Sequence, residues 1–145
     1  MFMGKKHVLT VPGSYDEIKT ICQFVTQGAA AAGMDETAVF HIELACDEAC
    51  TNVIEHAYGG ESDGDIRVSW QVVGDMFVIS VNDNGRQFEP AQIPSPTTID
   101  SIENIKIGGL GIHFMRKLMD EVNFSFDPRS GNKLIMKKKL KAEAS

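Results

Sequence analysis

Three polar residues, Glu48, Asn52 and His56, recur every fourth position in HIELACDEACTNVIEHAY, residues 41 to 58. On a helix that step is slightly more than one turn, so the three stack along one side. Their neighbours Ala45, Ala49, Val53 and Ile54 are apolar. A carboxylate and an amide held that close to a core need partners. A hydrated divalent cation is one candidate. Mg²⁺ takes oxygen ligands, keeps several waters and is often held by few protein groups plus substrate phosphates. The Asn52 carbonyl oxygen suits that role, and Glu48 beside it could accept the proton of an attacking hydroxyl or water. Taken alone, the row also fits a solvated polar stripe on an amphipathic helix, and His56 reads as a structural helix-end residue.

Two further stretches carry chemistry. In VNDNGRQF, residues 81 to 88, Asp83 directly follows a strand-like run and Gly85 follows two positions later. A carboxylate at a strand end, beside a glycine that permits close backbone approach, suits recognition of a flat ring bearing an amino group. Asn84-Gly85 would equally suit a hairpin turn, but no matching strand follows. In KIGGLGIHF, residues 106 to 114, Gly108, Gly109 and Gly111 stand where a helix starts. Backbone N–H groups there, with the helix dipole, favour phosphate oxygens; a hinge with an N-terminal cap is the other reading. The cluster lacks the G-K-[ST] of a Walker loop and the preceding strand of a dinucleotide fingerprint. His41 belongs to no H-E-x-x-H pattern, which excludes a zinc protease of that type.

These residues must be positioned by a short list of elements. HVLTV (7 to 11) reads as a strand stopped by Pro12 and Gly13. Ser14 and Glu17 form a capping-box pattern that opens a helix to about residue 32, with Gly33 as its stop. Asp35 is placed to cap a second helix from Glu36 to about Ala57. IRVSWQVV (66 to 73) and MFVISV (76 to 81) read as strands joined at Gly74-Asp75. Residues 84 to 108 hold Pro90, Pro94 and Pro96 and few periodic apolar residues, the pattern of a long functional or disordered connection. Helical spacing returns in GLGIHFMRKLMDEV, with Ile112, Met115, Leu118 and Met119 on one core-facing side. VNFSF (122 to 126) and KLIMKKKL (133 to 140) close the chain as a hairpin, with Lys137, Lys138 and Lys139 read as a solvated strand end that blunts edge pairing. Hairpin-joined strands with helices gathered separately predict an α+β two-layer sandwich, a mixed and mostly antiparallel sheet covered on one face by helices.

The 145 residues suit one domain, residues 1–145, large enough to bury a core without staples. A formal net charge of -6 argues against direct nucleic-acid binding. Three cysteines, Cys22, Cys46 and Cys50, make no disulfide framework and read as small core residues in a reducing cytoplasm. No run is long and apolar enough for a membrane span, and MFMGKKHVLTVPGS shows no secretory leader.

Taken together, the three stretches resemble the boxes of the GHKL (Bergerat-fold) ATPase superfamily, and within it the bacterial anti-sigma-factor serine/threonine-protein kinases. DEACTNVIEHAY is similar to their E-x-x-x-N box with H-[AG]-Y, VNDNGRQFEP to the D-x-G-x-x-F-x-P box, and GGLGIHFMRKLMDEV to the G-G-x-G box, in order and over roughly residues 7 to 140. The resemblance implies a histidine-kinase-like ATPase fold with ATP and Mg²⁺ as cofactors. It implies Glu48 as general base and Asn52 as the Mg²⁺ ligand. It also implies Asp83 and Gly85 at the adenine, Gly108, Gly109, Leu110 and Gly111 at the phosphates, and an ATP lid over about residues 89 to 108. The implied activity is phosphorylation of a serine on an anti-sigma-factor antagonist by a homodimeric protein that also binds a sigma factor. The alternative is a nucleotide-binding regulatory module that sequesters a protein partner without transfer. One departure concerns the last strand, where relatives often carry a threonine near the adenine and this chain reads Gly131-Asn132-Lys133; no residue is assigned that contact.

Overall fold

Asp35 opens the second long helix as its spacing predicts, its side chain accepting the Ala38 N–H at 2.8 Å; such a cap contributes about 1 kcal/mol. The computed structural model describes residues 3–61, 64–87 and 115–140. Within them, α1 spans Ile18–Ala31 and α2 spans Glu36–Asn52. Gly33, at φ 95°, ends α1 in the left-handed region that glycine adopts without strain. The start of α1 differs from the capping box. Ser14 accepts the Asp16 N–H at 3.3 Å and opens a 3-10 turn, Tyr15–Glu17. The Ser14 N–H, which Glu17 would meet in a capping box, donates to the Pro12 carbonyl at 2.8 Å, and the distant Glu61 accepts from the Tyr15 N–H at 2.9 Å. The end of α2 differs too. Val53–Ala57 winds as a wider π turn, in which the Tyr58 N–H reaches the Val53 carbonyl at 3.0 Å.

Five strands form one sheet. They are β1 (His7–Pro12), β2 (Asp65–Val73), β3 (Met76–Asp83), β4 (Glu121–Asp127) and β5 (Gly131–Lys139), in the spatial order β1-β2-β3-β5-β4. All four pairings among the described residues are antiparallel, so no parallel pair of a mixed sheet is among them. Gly74, at φ 61°, makes the expected tight turn between β2 and β3, which pairs Val73 with Met76. β5 inserts between β3 and β4, which corrects the reading of Lys137, Lys138 and Lys139 as an edge. They lie on an interior strand, where Lys137 pairs with Glu121 at 3.4 Å and Lys138 Nζ donates to the Leu118 carbonyl at 2.6 Å.

One sheet face supplies Ile66, Val68, Phe77, Ile79, Val81, Leu134 and Met136 to the core, and the helices cover it with Ile21, Val25, Ile42, Cys46, Cys50 and Ile54. Met115 and Met119 are buried in the same cluster, as their spacing predicts. All three cysteines are free and buried, and burial raises each thiol pKa, that of Cys22 to about 12. Gly28 marks a close approach of the layers, because a Cβ there would overlap the Trp70 indole. That ring is held between His7 and Phe77 at centroid distances of 4.0 and 5.4 Å. Gly28→Ala is therefore expected to destabilise the fold by about 1–3 kcal/mol through overpacking, read from the urea midpoint. A midpoint unchanged within error would show that the indole yields freely.

Candidate functional site

Asn52 is the last residue of α2, and only 2% of its surface is exposed. Neither its Oδ1 nor its Nδ2 has a hydrogen-bond partner among the described residues. An amide stranded in this way costs about 1–3 kcal/mol, so its retention argues for a ligand. Glu48 lies one turn earlier on the same face and is half-buried. Desolvation raises its carboxyl pKa, helped by the negative charges of Asp47 and Glu55. The wide turn begins immediately after Asn52. Turns of this kind are frequent at functional sites, and this one brings the backbone of Ala57 against the loop that leaves β3.

That loop is a side-chain-stabilised turn, not a hairpin. Asp83, 3% exposed at the end of β3, accepts the Gly85 N–H on Oδ1 at 2.8 Å, the geometry aspartate favours in turns. Gly85 has no room for a side chain, since a Cβ would stand 2.5 Å from the Ala57 carbonyl oxygen. Its demonstrated close approach is thus to the chain at the end of α2. Arg86 locks the same junction, donating from its backbone N–H to the Ala57 carbonyl at 2.9 Å and from Nε to the His56 carbonyl at 2.8 Å. His56 is accordingly part of the helix-end structure. The second donor to Asp83 Oδ1 is Nδ2 of Asn132 on β5, at 2.9 Å. Burial pushes the Asp83 carboxyl pKa up, and the Asn132 and Gly85 hydrogen bonds pull against that rise.

Asn52 and Asp83 line one cavity of about 180 Å³, with Ala49, Val53, Val81 and Leu134 as apolar wall. Phe124 and Phe126 of β4 also line it. Apolar walls with a few fixed polar groups are the usual make-up of a small-molecule site. The structure therefore brings together Asn52 and Asp83, read from separate sequence boxes, with Glu48 one turn from Asn52. Gly108, Gly109, Leu110, Gly111 and the lid over residues 89 to 108 lie outside the described residues. Sequence reasoning missed Asn132, Phe124 and Phe126. Period-two alternation puts all three on the helix-facing side of their strands, but only the β3–β5–β4 order brings that side to Asp83.

Comparison with known proteins gives the site a context. Residues 11–138 match the family model described as the histidine kinase-like ATPase domain. The chain belongs to the histidine kinase-like ATPase family. Among curated relatives it is similar to the serine-protein kinase RsbW of Bacillus pumilus, 30% identical over 141 residues that cover 93% of this chain and 86% of that one. RsbW of Listeria innocua is 34% identical over 103 residues, 68% of this chain and 66% of that relative's length, just under two thirds. A crystal structure of the RsbU and RsbW domains of Rv1364c from Mycobacterium tuberculosis matches 93% of this chain and 32% of that chain, with a TM-score of 0.66 at 19% identity, which supports the fold. The α+β architecture described above is the fold of this family, and no helix among the described residues is long and apolar enough to cross a membrane.

The family implies an adenine nucleotide, and the residues present fit one. The buried Asp83 acceptor sits beside apolar walls that suit a ring, and the unpartnered Asn52 amide lies in the same cavity. Its carbonyl oxygen is the kind of single hard ligand that Mg²⁺ accepts.

Proposed function

We propose that the protein is an ATP- and Mg²⁺-dependent serine kinase of the cytoplasm that phosphorylates an anti-sigma-factor antagonist and, as a homodimer, holds a sigma factor when that antagonist is phosphorylated. The observation that carries this reading is the buried, unpartnered Asn52 amide, which shares a cavity with the Asp83 carboxylate and a helix face with Glu48. A purely structural helix would have little reason to keep a stranded amide there.

In this reading the Asp83 carboxylate accepts a hydrogen bond from the adenine amino group, and the apolar walls exclude water from the ring. Asn52 holds the Mg²⁺, which when bound neutralises phosphate charge. Glu48 takes the proton from the partner's serine Oγ. The Oγ–phosphorus bond forms as the bond from the γ-phosphorus to the bridging oxygen of ADP breaks, and ADP leaves with the electron pair. The protein contributes mainly positioning and charge. Burial of Glu48 supports its role, because a carboxylate with a raised pKa is a stronger base. The added phosphate charge then weakens the partner's hold.

The test is incubation with γ-labelled ATP, Mg²⁺ and the antagonist encoded nearby, with sedimentation of the same preparation to read the dimer. Label on a partner serine, lost in Asn52→Ala along with the Mg²⁺ dependence of nucleotide affinity, is the expected result. Nucleotide binding without transfer would establish instead a regulatory module that sequesters a protein partner. Failure to bind any adenine nucleotide would overturn both readings.

A further inference from the structure

α2 carries Glu36, Glu43, Asp47 and Glu48 and no lysine or arginine, four charges of one sign on a chain of net charge -6. Among the described residues none of the four makes an ion pair. Between them stand two large apolar side chains in water, Phe40 at 56% exposed and Leu44 at 40%. Single exposed apolar residues are ordinary. These two are one turn apart, and the same four-residue step carries on to Glu48 and Asn52. Each step drifts about 40° and rises about 6 Å. Leu44 therefore borders Glu48 on the helix surface, and Phe40 lies about 12 Å from it along the axis. One residue earlier in each turn, Glu43, Asp47 and Thr51 form a parallel row. They wall an open groove against Tyr15 and Ile18 at the start of α1. Lys19 is the one cation among the residues that line it, against two carboxylates.

We propose that the Phe40–Leu44 ridge and the acidic groove beside it dock the protein that brings its serine to Glu48, and that this partner presents an apolar patch with lysine or arginine next to the serine. This rests on the kinase reading proposed above. A serine Oγ has to come within hydrogen-bond reach of the Glu48 carboxylate to lose its proton. A folded partner that does so lies across the helix beside it. On the side of Glu48 away from Asn52, that helix surface is Leu44 and then Phe40. Both side chains lose water on contact, as the apolar anchors of an interface do. The groove suits a long basic side chain, its stem along Ile18 and its head on Glu43 or Asp47. Charge decides between occupants. A nucleic acid or an anionic membrane surface would be repelled. A second copy that set α2 against α2 would bring the same four carboxylates of each chain together. A partner with a cationic rim gains from those charges, which also speed its encounter.

Steady-state transfer of label from ATP to the antagonist encoded nearby tests this, with ADP calorimetry on the same variants. Phe40→Ala combined with Leu44→Ala is expected to raise the KM for that phosphoacceptor by about tenfold or more. The kcat and the ADP affinity should stay, whereas loss of a catalytic group would lower kcat. Both side chains are largely in water, so little stability is at stake, and far-ultraviolet circular dichroism controls for folding. Glu43→Lys leaves the ridge whole and reverses one charge of the groove. Desolvation, Asp47 and Glu55 set the Glu48 pKa, so a change at Glu43 reads docking rather than the base. This variant should raise the KM at low salt and flatten its rise with added salt. Should the double variant not fold, Glu43→Lys decides. KM values within about twofold of wild type in the variants that fold would overturn the docking site while leaving the kinase intact. A wild-type protein that binds ADP but transfers no label would overturn the kinase reading and this site with it. A wild-type dimer broken in the double variant, with KM unmoved, would give the face to a second copy. Loss of sigma-factor capture alone would give it to that protein, and either result overturns the proposal.

Discussion

Glu48→Gln is expected to bind ADP with wild-type affinity while losing about 10²- to 10⁴-fold in serine phosphorylation, the range that general-base groups contribute. Glutamine keeps the size and helix propensity of the residue but cannot take a proton. Because Glu48 is half-buried one turn from Asn52 and is not among the residues that line the cavity, the nucleotide should be indifferent to the change. The pH profile gives a second signature. The base works when ionised, so transfer should rise with pH through the Glu48 pKa. Desolvation, Asp47 and Glu55 hold that pKa above the ordinary glutamate value. Removing a neighbouring negative charge with Asp47→Asn lowers the pKa and should slide the acid limb to lower pH. Single-turnover transfer measured across pH decides the matter. Undiminished transfer in Glu48→Gln would take the base role away from this residue.

Asp83→Asn should cost roughly 10- to 100-fold in ADP affinity, the scale of a lost hydrogen bond to a buried charged group. The substitution spares the fold for a stated reason. An asparagine carbonyl can still accept the Gly85 and Asn132 donors that now meet Oδ1 at 2.8 and 2.9 Å. What changes is the other terminus, where an acceptor becomes a donor facing a donor. The same swap suits a base with a ring carbonyl at that place, so the gap between ADP and IDP should narrow or invert. Calorimetry with both nucleotides reads this directly. Equal affinities for ADP in wild type and variant would remove Asp83 from base recognition.

Much of this site was legible because its signals are local. Asp35 as a cap, Gly33 as a stop and Gly74 in a tight turn each follow from backbone preferences within a few residues. Glu48 and Asn52 share a face by helix arithmetic, and Asp83 stands out as an acid at the end of a β-branched run. What stayed hidden depends on contacts between distant segments. Asn132 is 49 residues from the carboxylate it holds; the resemblance marked its place in the last strand only as a departure from a threonine, and the sequence assigned it no contact. The lysine run looked like a strand edge because order within a sheet is not written in any one strand; insertion of β5 between β3 and β4 made it interior. Glu61 at the start of the first helix was hidden for the same reason, since it reaches the Tyr15 N–H from 46 residues away. The wide turn after Asn52 has no pattern in residue type, because it stores an extra residue that tertiary packing accommodates.

That stored residue makes the protein vulnerable to a kind of change that ordinary substitution does not probe. A single-codon insertion within residues 53 to 57, where the turn already holds one residue more than a regular α-helix, would turn everything after it by about 100°. Tyr58 would swing away from the Asp65 carbonyl and the Asn84 N–H that now meet its hydroxyl. The carbonyls of His56 and Ala57, which receive Arg86, would rotate with it. Length in these few positions is therefore held more tightly than composition, and lengthened versions of the helix would part the loop that carries Asp83 from the face that carries Asn52.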